Sequence, residues 1–419
     1  MKSRLLILSL LLGIFCFTKA QDSAPFRYVG GDISLLPDYE AAKSKYYDET
    51  GKPINDVLKF CYDEGMNCMR VRLFVDPKAY ITSNPKADTN AKQDLEYIIP
   101  LCQRIQNDGM ALMLDFHYSD TWADPVKQWT PIAWQGLTDA QLVQKIYDYT
   151  KESLETLKAN GVVPEFIQTG NEISYGMLWG PEGTKDNKVY PDNDANWDRF
   201  FSLLESAIKA CREVCPDAGI ILHNERIANL NYLTGFYKRM ADRKIDYDII
   251  GLSYYPYFHG AMSQLKNALS TLSVQQKDKQ IMIVETGYSY QWEVQGTNQK
   301  VDYPYSEEGQ NQFAKDLVDL LLQYENCTGL FWWWMEYNAY GTKLENWYNA
   351  PLFNSLTGRA TPALKTICTF GSGKYNGIED IPYVEEDNSG LWYDLQGRPF
   401  VHPTVPGIYI HNGRKTIVK

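Results

Sequence analysis

Eight short apolar runs, separated by longer segments of helical pattern, constrain this 419-residue chain more than any other feature. The runs cover 28–33, 68–73, 111–116, 165–168, 220–223, 249–254, 281–284 and 330–334. They are nearly continuous in apolar residues, as strands buried on both faces are. Helical patterns lie between them, for example at 55–64, 138–160, 197–214 and 307–324. Thr138-Asp139-Ala140-Gln141 reads as a capping box, Leu142, Ile146, Tyr149 and Leu157 repeat at helical spacing, and Gly161 stands where a helix-ending glycine belongs. Strand-then-helix repeated eight times predicts an α/β fold, a closed (β/α)8 TIM barrel. An open doubly wound sheet would call for a glycine-rich fingerprint after an early strand, and none is present.

The ends of the chain differ from this repeat. Lys2 and Arg4, an apolar stretch from Leu5 to Phe17 and the small-residue end Thr18-Lys19-Ala20 predict a signal peptide over 1–20. The apolar run is too short to span a bilayer. Export to the periplasm, the cell surface or the medium is expected. Loss of Lys2, Arg4 and Lys19 would take the formal charge from -11 to -14, a balance that disfavours nucleic acid and anionic membranes. Seven scattered cysteines would remain, without a zinc-type CxxC pair or a disulfide-dense pattern. The catalytic domain is expected over 21–370. Residues 371–419 divide into a Gly-, Asp- and Glu-rich linker and a small C-terminal β appendage, with Asn412-Gly413 as its hairpin turn.

In such a barrel, chemistry sits where strands end. Glu172 follows the fourth run beside Asn171, and Glu285 follows the seventh. Asp115 and His117 end the third run, His223 and Asn224 the fifth, Tyr254 and Tyr255 the sixth. Two carboxylates facing one another across a barrel mouth suit glycosidic hydrolysis, one as proton donor and the other as nucleophile. Glu225 and Glu336 also stand near strand ends, and charge alone does not separate them from the pair. The 30 tyrosines and 11 tryptophans suit sugar stacking as well as an aromatic core.

Longer blocks carry a family resemblance. They are GGDIS at 30–34, MRVRLFVDP at 69–77, LDFHYSDTWADP at 114–125, QTGNEISYGMLW at 168–179, GLSYYPYFHG at 251–260, IVETGY at 283–288 and WYNAPLFN at 347–354. The chain resembles the arabinogalactan endo-β-1,4-galactanases of glycoside hydrolase family 53, over residues 28–364. That resemblance implies a retaining enzyme that cuts galactan internally, with Glu172 as acid/base, Glu285 as nucleophile and Asn171 on the 2-hydroxyl. It also implies Tyr254 or Tyr255, and Arg70 or Arg72, at the nucleophile. Asp32, His117, Asp120 and Trp122 would line the subsites. Of Trp332, Trp333 and Trp334, Trp334 is the favoured sugar platform, with Trp347 under a more distant sugar. His259 is left between substrate contact and loop packing.

Some bacterial relatives tether the seventh and eighth loops with calcium. Residues 288–304 lack the carboxylate-rich spacing that ion needs, so no cofactor and no structural calcium are predicted, and Tyr290 and Trp292 are expected to hold the loop. The five histidines are isolated in sequence, without a metal motif. The expected partner is β-1,4-galactan, met by a monomer without a membrane span. The alternatives are another endo-β-glycosidase of the same clan, such as a mannanase, or a non-catalytic carbohydrate-binding barrel. A binder would have no need of both glutamates.

Overall fold

The apolar runs pair side by side, in parallel, into a closed ring. In the computed structural model the strands are β1 (Tyr28–Asp32), β2 (Cys68–Leu73), β3 (Ala111–Phe116), β4 (Phe166–Thr169), β5 (Gly219–Asn224), β6 (Ile249–Tyr254), β7 (Gln280–Thr286) and β8 (Cys327–Trp332). Each pairs with its neighbours in sequence, and β8 closes on β1. The structure describes residues 25–189, 194–294, 301–342 and 350–373, with short segments between 392 and 418.

Helices cover the outside of the ring. Helix Val57–Glu64 starts at Asp56, whose carboxylate accepts the Lys59 N–H. Helix Asp139–Ala159 carries the expected capping box, and Gly161 beyond its end has a φ of 77°. Its buried stripe includes Leu142, Ile146, Leu154 and Leu157, while Tyr149 is only partly buried.

Two apolar clusters follow from strand alternation. The larger fills the space between sheet and helices, and a smaller one includes Cys68, Met113, Phe166, Ile221, Met282 and Val284. Two residues further along the same faces stand Arg70, Asp115, Gln168 and His223. The barrel interior is therefore an apolar plug below a polar layer. Strand β7 breaks its alternation. Its register against β6 runs Leu252↔Ile283 and then Ser253↔Glu285, so Val284 is an extra residue. This bulge lets Glu285 face the interior although Met282 and Val284 already do.

Near the C-terminus, Gly407–His411 pairs antiparallel with Arg414–Val418, and the expected turn residues Asn412 and Gly413 lie outside the described residues. Trp392–Tyr393 and Pro399–Phe400 extend this to four strands. The expected signal segment and most of the linker lie outside the described residues.

Candidate active site

Arg70 is the hub of the polar layer. Both it and Arg72 are fully buried and lie on one face of β2. Arg70 donates from Nη2 to Asp115 Oδ2 at 2.8 Å and Asn171 Oδ1 at 2.9 Å, and from Nη1 to Asp32 Oδ2 at 3.1 Å. The same Nη2 lies 3.0 Å from Glu285 Oε1. Arg72 pairs through Nη1 with Asp32 Oδ1 at 3.1 Å. Three buried carboxylates thus share two guanidiniums. Burial opposes the Asp115 charge, but Arg70 and His117 outweigh it and hold that carboxyl below its ordinary value. Glu285 also accepts the Tyr255 hydroxyl on Oε2 at 3.2 Å. Burial, with Asp115 and Asp32, outweighs the opposing pull of Arg70 and Tyr255 and leaves Glu285 raised to about 7.

Glu172 meets different chemistry. It follows β4 with a left-handed φ of 46°, which a residue with a Cβ holds only where its surroundings enforce it. Its N–H donates to His223 Nδ1 at 3.2 Å, as does Gln168 Nε2 at 2.9 Å. Asn171 Oδ1 also lies 3.0 Å from Nδ1, but the two donors there favour an accepting Nδ1 and so a proton on Nε2, 2.7 Å from Ser253 Oγ. The serine hydroxyl is then free to donate to Glu172 Oε1, at 2.6 Å. Burial, followed by the charges of Glu285 and Glu225, holds the Glu172 carboxyl well above the usual range, against the smaller pull of Ser253. Ser253 is also the register partner of Glu285, so one residue joins the surroundings of both carboxylates.

Here one half-buried carboxyl is biased towards keeping a proton and a neighbour is held by an arginine and a tyrosine. That division of labour is what cleavage between two sugars requires. Residues 28–367 match the family model described as glycosyl hydrolase family 53. The chain belongs to glycosyl hydrolase family 53. It is similar to the arabinogalactan endo-beta-1,4-galactanase of Cellvibrio japonicus, 32% identical over 349 residues that cover 79% of this chain and 86% of that one. It is 31% identical over 362 residues to the probable arabinogalactan endo-beta-1,4-galactanase A of Neosartorya fischeri, with coverages of 80% and 92%. Among solved structures, the Ignisphaera aggregans GH53 catalytic domain aligns with a TM-score of 0.69 at 30% identity, covering 83% of this chain and 97% of that one. The protein is a glycoside hydrolase.

Within this family 53 barrel the other expected residues divide sharply. Of the two tyrosines, Tyr255 reaches Glu285. Tyr254 turns away, donates to Gly260 O at 3.0 Å and packs on Phe313, which corrects its assignment to the site. Alternation explains the split, because Tyr255 shares a face with Ser253. Arg70 rather than Arg72 contacts Glu285, and Arg72 lies against the rings of both Trp122 and Trp333, 4.8 Å from each. Asp120 was expected in a subsite, yet its two oxygens accept the N–H groups of Asp76 at 2.9 Å and Ile132 at 2.7 Å. It ties two loops together. His117 accepts the Ala123 N–H at 3.0 Å and sets Nε2 3.1 Å from Asp115. Asn171 is locked by Arg70 on one side and by donation to Ala123 O at 2.8 Å on the other.

The tryptophan choice also shifts. Because β8 ends at Trp332, alternation does not govern the next two residues. Trp332 is buried and donates to Ala350 O at 2.6 Å. Trp334 has a φ of 47° and is only 6% exposed, folded against Tyr337. Trp333 is the partly exposed indole, over Arg72 and 6.0 Å from Trp122. Trp347 lies outside the described residues. His259 accepts the Tyr255 N–H at 3.0 Å, which makes it a packing residue.

Ser253 and Gln168 were not among the expected residues, and Asp115 and His223 were expected only as strand-end residues without an assigned role. Inward alternation from Met113, Phe166 and Ile221 would have found three of them. The two competing glutamates are engaged elsewhere, Glu225 by Ser174 at 2.7 Å and Glu336 by the Leu35 N–H at 2.8 Å. Among the described residues no group of three or more His, Cys, Asp or Glu could hold a metal ion. In the seventh loop Ser289–Val294 carries one carboxylate, Glu293, a poor match to calcium. Tyr290 is buried and its hydroxyl accepts the Ser355 N–H at 2.8 Å, while Trp292 is 53% exposed, so of the two expected aromatics Tyr290 is the one that helps to secure this loop.

Proposed function

We propose that the protein is a retaining endo-β-1,4-galactanase in which Glu172 is the acid/base and Glu285 the nucleophile. The observation that carries this reading is the asymmetry of the pair. Glu285 faces the Arg70 guanidinium and the Tyr255 hydroxyl, which favour its ionised form. Glu172 meets desolvation and the charges of Glu285 and Glu225, which favour retention of its proton against the weaker pull of the Ser253 hydroxyl. Glu285 attacks the anomeric carbon as Glu172 protonates the departing glycosidic oxygen. Glu172 then takes a proton from water, and that water releases the sugar from Glu285. Asn171, locked by its neighbours, is set to hold the 2-hydroxyl. The printed activity of the Cellvibrio and Neosartorya relatives supports β-1,4-galactan as substrate. The basic and apolar opening of the chain supports export.

Hydrolysis of unbranched β-1,4-galactan tests the reading, with Glu285→Ala assayed on an aryl β-galactobioside with and without azide. The expected result is internal cutting by wild type, a dead variant, and azide-restored cleavage giving a glycosyl azide of inverted configuration. Normal activity in Glu285→Ala would overturn the assignment. Cleavage of mannan but not galactan would overturn the substrate.

A further inference from the structure

A second concave surface lies beside the centre. Between the loops that follow β2, β3 and β4 opens a cavity of about 500 Å³, walled chiefly by Tyr80, Asn84, Asp120, Trp129, Gln135 and Glu182. Its partition from the centre is the segment 121–130. Residues Thr121, Trp129 and Thr130 face the cavity, while Trp122 rests on Arg72 and Ala123 accepts from Asn171. The partition is anchored on both sides. Gln128 Nε2 donates to Asn171 O at 2.7 Å, and Thr130 and Gly180 exchange hydrogen bonds of 2.8 and 3.1 Å.

The lining defines a ligand class. It contains no Lys, Arg or His, so an anion would meet two carboxylates and no compensating charge. A metal cation fits no better, since no group of three or more His, Cys, Asp or Glu placed to hold one occurs here or elsewhere among the described residues. Glu182 Oε2 accepts from the Tyr80 hydroxyl at 3.1 Å and from Asn84 Nδ2 at 3.4 Å, and Asn84 Nδ2 also reaches Tyr80 Oη at 3.0 Å. This set is assembled before any ligand arrives and keeps acceptor capacity on the carboxylate. The Trp129 indole is half-buried in the wall and has neither a ring partner nor a side-chain hydrogen bond among the described residues. An open aromatic face beside fixed acceptors, without a cation, suits a neutral polyhydroxylated ring.

We infer that this cavity is an accessory carbohydrate subsite that takes a neutral glycosyl residue of the polysaccharide cleaved next door. The inference rests on the galactanase reading and adds a recognition element to it. The residue held is either a branch on the main chain or a distant unit of the main chain itself.

Trp129→Ala and Glu182→Gln, neither of them in the cleavage machinery, test this on three substrates. These are a short aryl β-galactobioside, long unbranched galactan and branched arabinogalactan. The expected result is a loss on the order of tenfold in kcat/KM for Trp129→Ala, through KM, with a smaller loss for Glu182→Gln and unchanged rates on the short substrate. A loss confined to branched polymer identifies a branch as the ligand, and a loss on both polymers identifies the main chain. Wild-type values on every polymer, or an equal loss on the short substrate, overturn the inference. If wild type leaves galactan intact, the galactanase reading fails separately. Saturation-transfer NMR with methyl β-galactopyranoside then decides the cavity: binding abolished in Trp129→Ala supports it, and equal binding overturns it.

Discussion

Each carboxylate of the pair is tuned by one hydroxyl, and the two can be removed independently. The Tyr255 hydroxyl lowers the Glu285 pKa, so Tyr255→Phe should raise it and move the acid limb of kcat/KM upward. Ser253 lowers the Glu172 pKa, so Ser253→Ala should move the alkaline limb upward as well. A charge-assisted hydrogen bond of this kind corresponds to about one pH unit. A pH–rate profile of each variant reads the shift, and a shift of the opposite sign would show that the hydroxyl favours the protonated form. Glu336 makes a stability prediction. Burial, then Asp32, pushes its carboxyl from an ordinary 4.5 to about 8. The folded state therefore keeps a proton that the unfolded chain has lost, and stability declines as pH rises through that window. Glu336→Gln removes the decline, so thermal unfolding should show the variant gaining on wild type between about pH 5 and pH 8, by on the order of 2–4 kcal/mol. Sequence exposed Glu172, Glu285 and Asn171 because each sits at the end of an apolar run, whereas Arg70, inside one, came only from the family resemblance and undivided from Arg72. Ser253 and Gln168 stayed hidden because a small polar residue within an apolar run has no signature until the strands are placed in register.

At the scale of elements, the strands and helices were legible because burial on both sheet faces writes itself as apolar runs. Two features were not. The bulge in β7 lies inside such a run, and no residue type marks it. Simple alternation puts Glu285 opposite Val284, on the helix side, and only the observed register restores it to the interior. The end of β8 at Trp332 was likewise invisible within three consecutive tryptophans, and it decided which indole stays accessible. Strand β1 carries the tightest constraint. A Cβ on Gly30 would lie 1.7 Å from the Cys68 carbonyl oxygen, a backbone atom without freedom to retreat. Gly30→Ala should wedge β1 from β2 and displace Asp32 from both arginines. The expected cost is about 3 kcal/mol or more, with activity falling in parallel. Denaturant unfolding and galactan hydrolysis on the same preparation check it, and a variant with wild-type stability would refute the clash.

For the whole molecule, the ring is fastened where its two ends meet. Arg27 N–H donates to Ser372 Oγ at 2.8 Å and Ser372 N–H returns to Arg27 O at 3.1 Å. Asn67 joins both, donating to Arg27 O at 3.0 Å and Gly373 O at 2.8 Å while accepting the Val29 N–H at 2.8 Å. A chain stopped after Gly373 should therefore keep its unfolding midpoint within about 2 °C and its kcat/KM within about twofold. Asn67→Ala should cost on the order of 2–3 kcal/mol, because it strands several buried partners at once. Scanning calorimetry distinguishes the two, and a large loss on truncation would make the terminal sheet part of the barrel's stability. The same closure sets a timetable. Asp32, Arg70 and Asp115 come from the first three strands, whereas Glu285 comes from the seventh and the ring shuts only with the eighth. A chain emerging N-terminus first assembles the arginine cluster early, yet has no Glu285 beside it until nearly all of the barrel has been made. Hydrolytic competence therefore arrives only at the end of biogenesis.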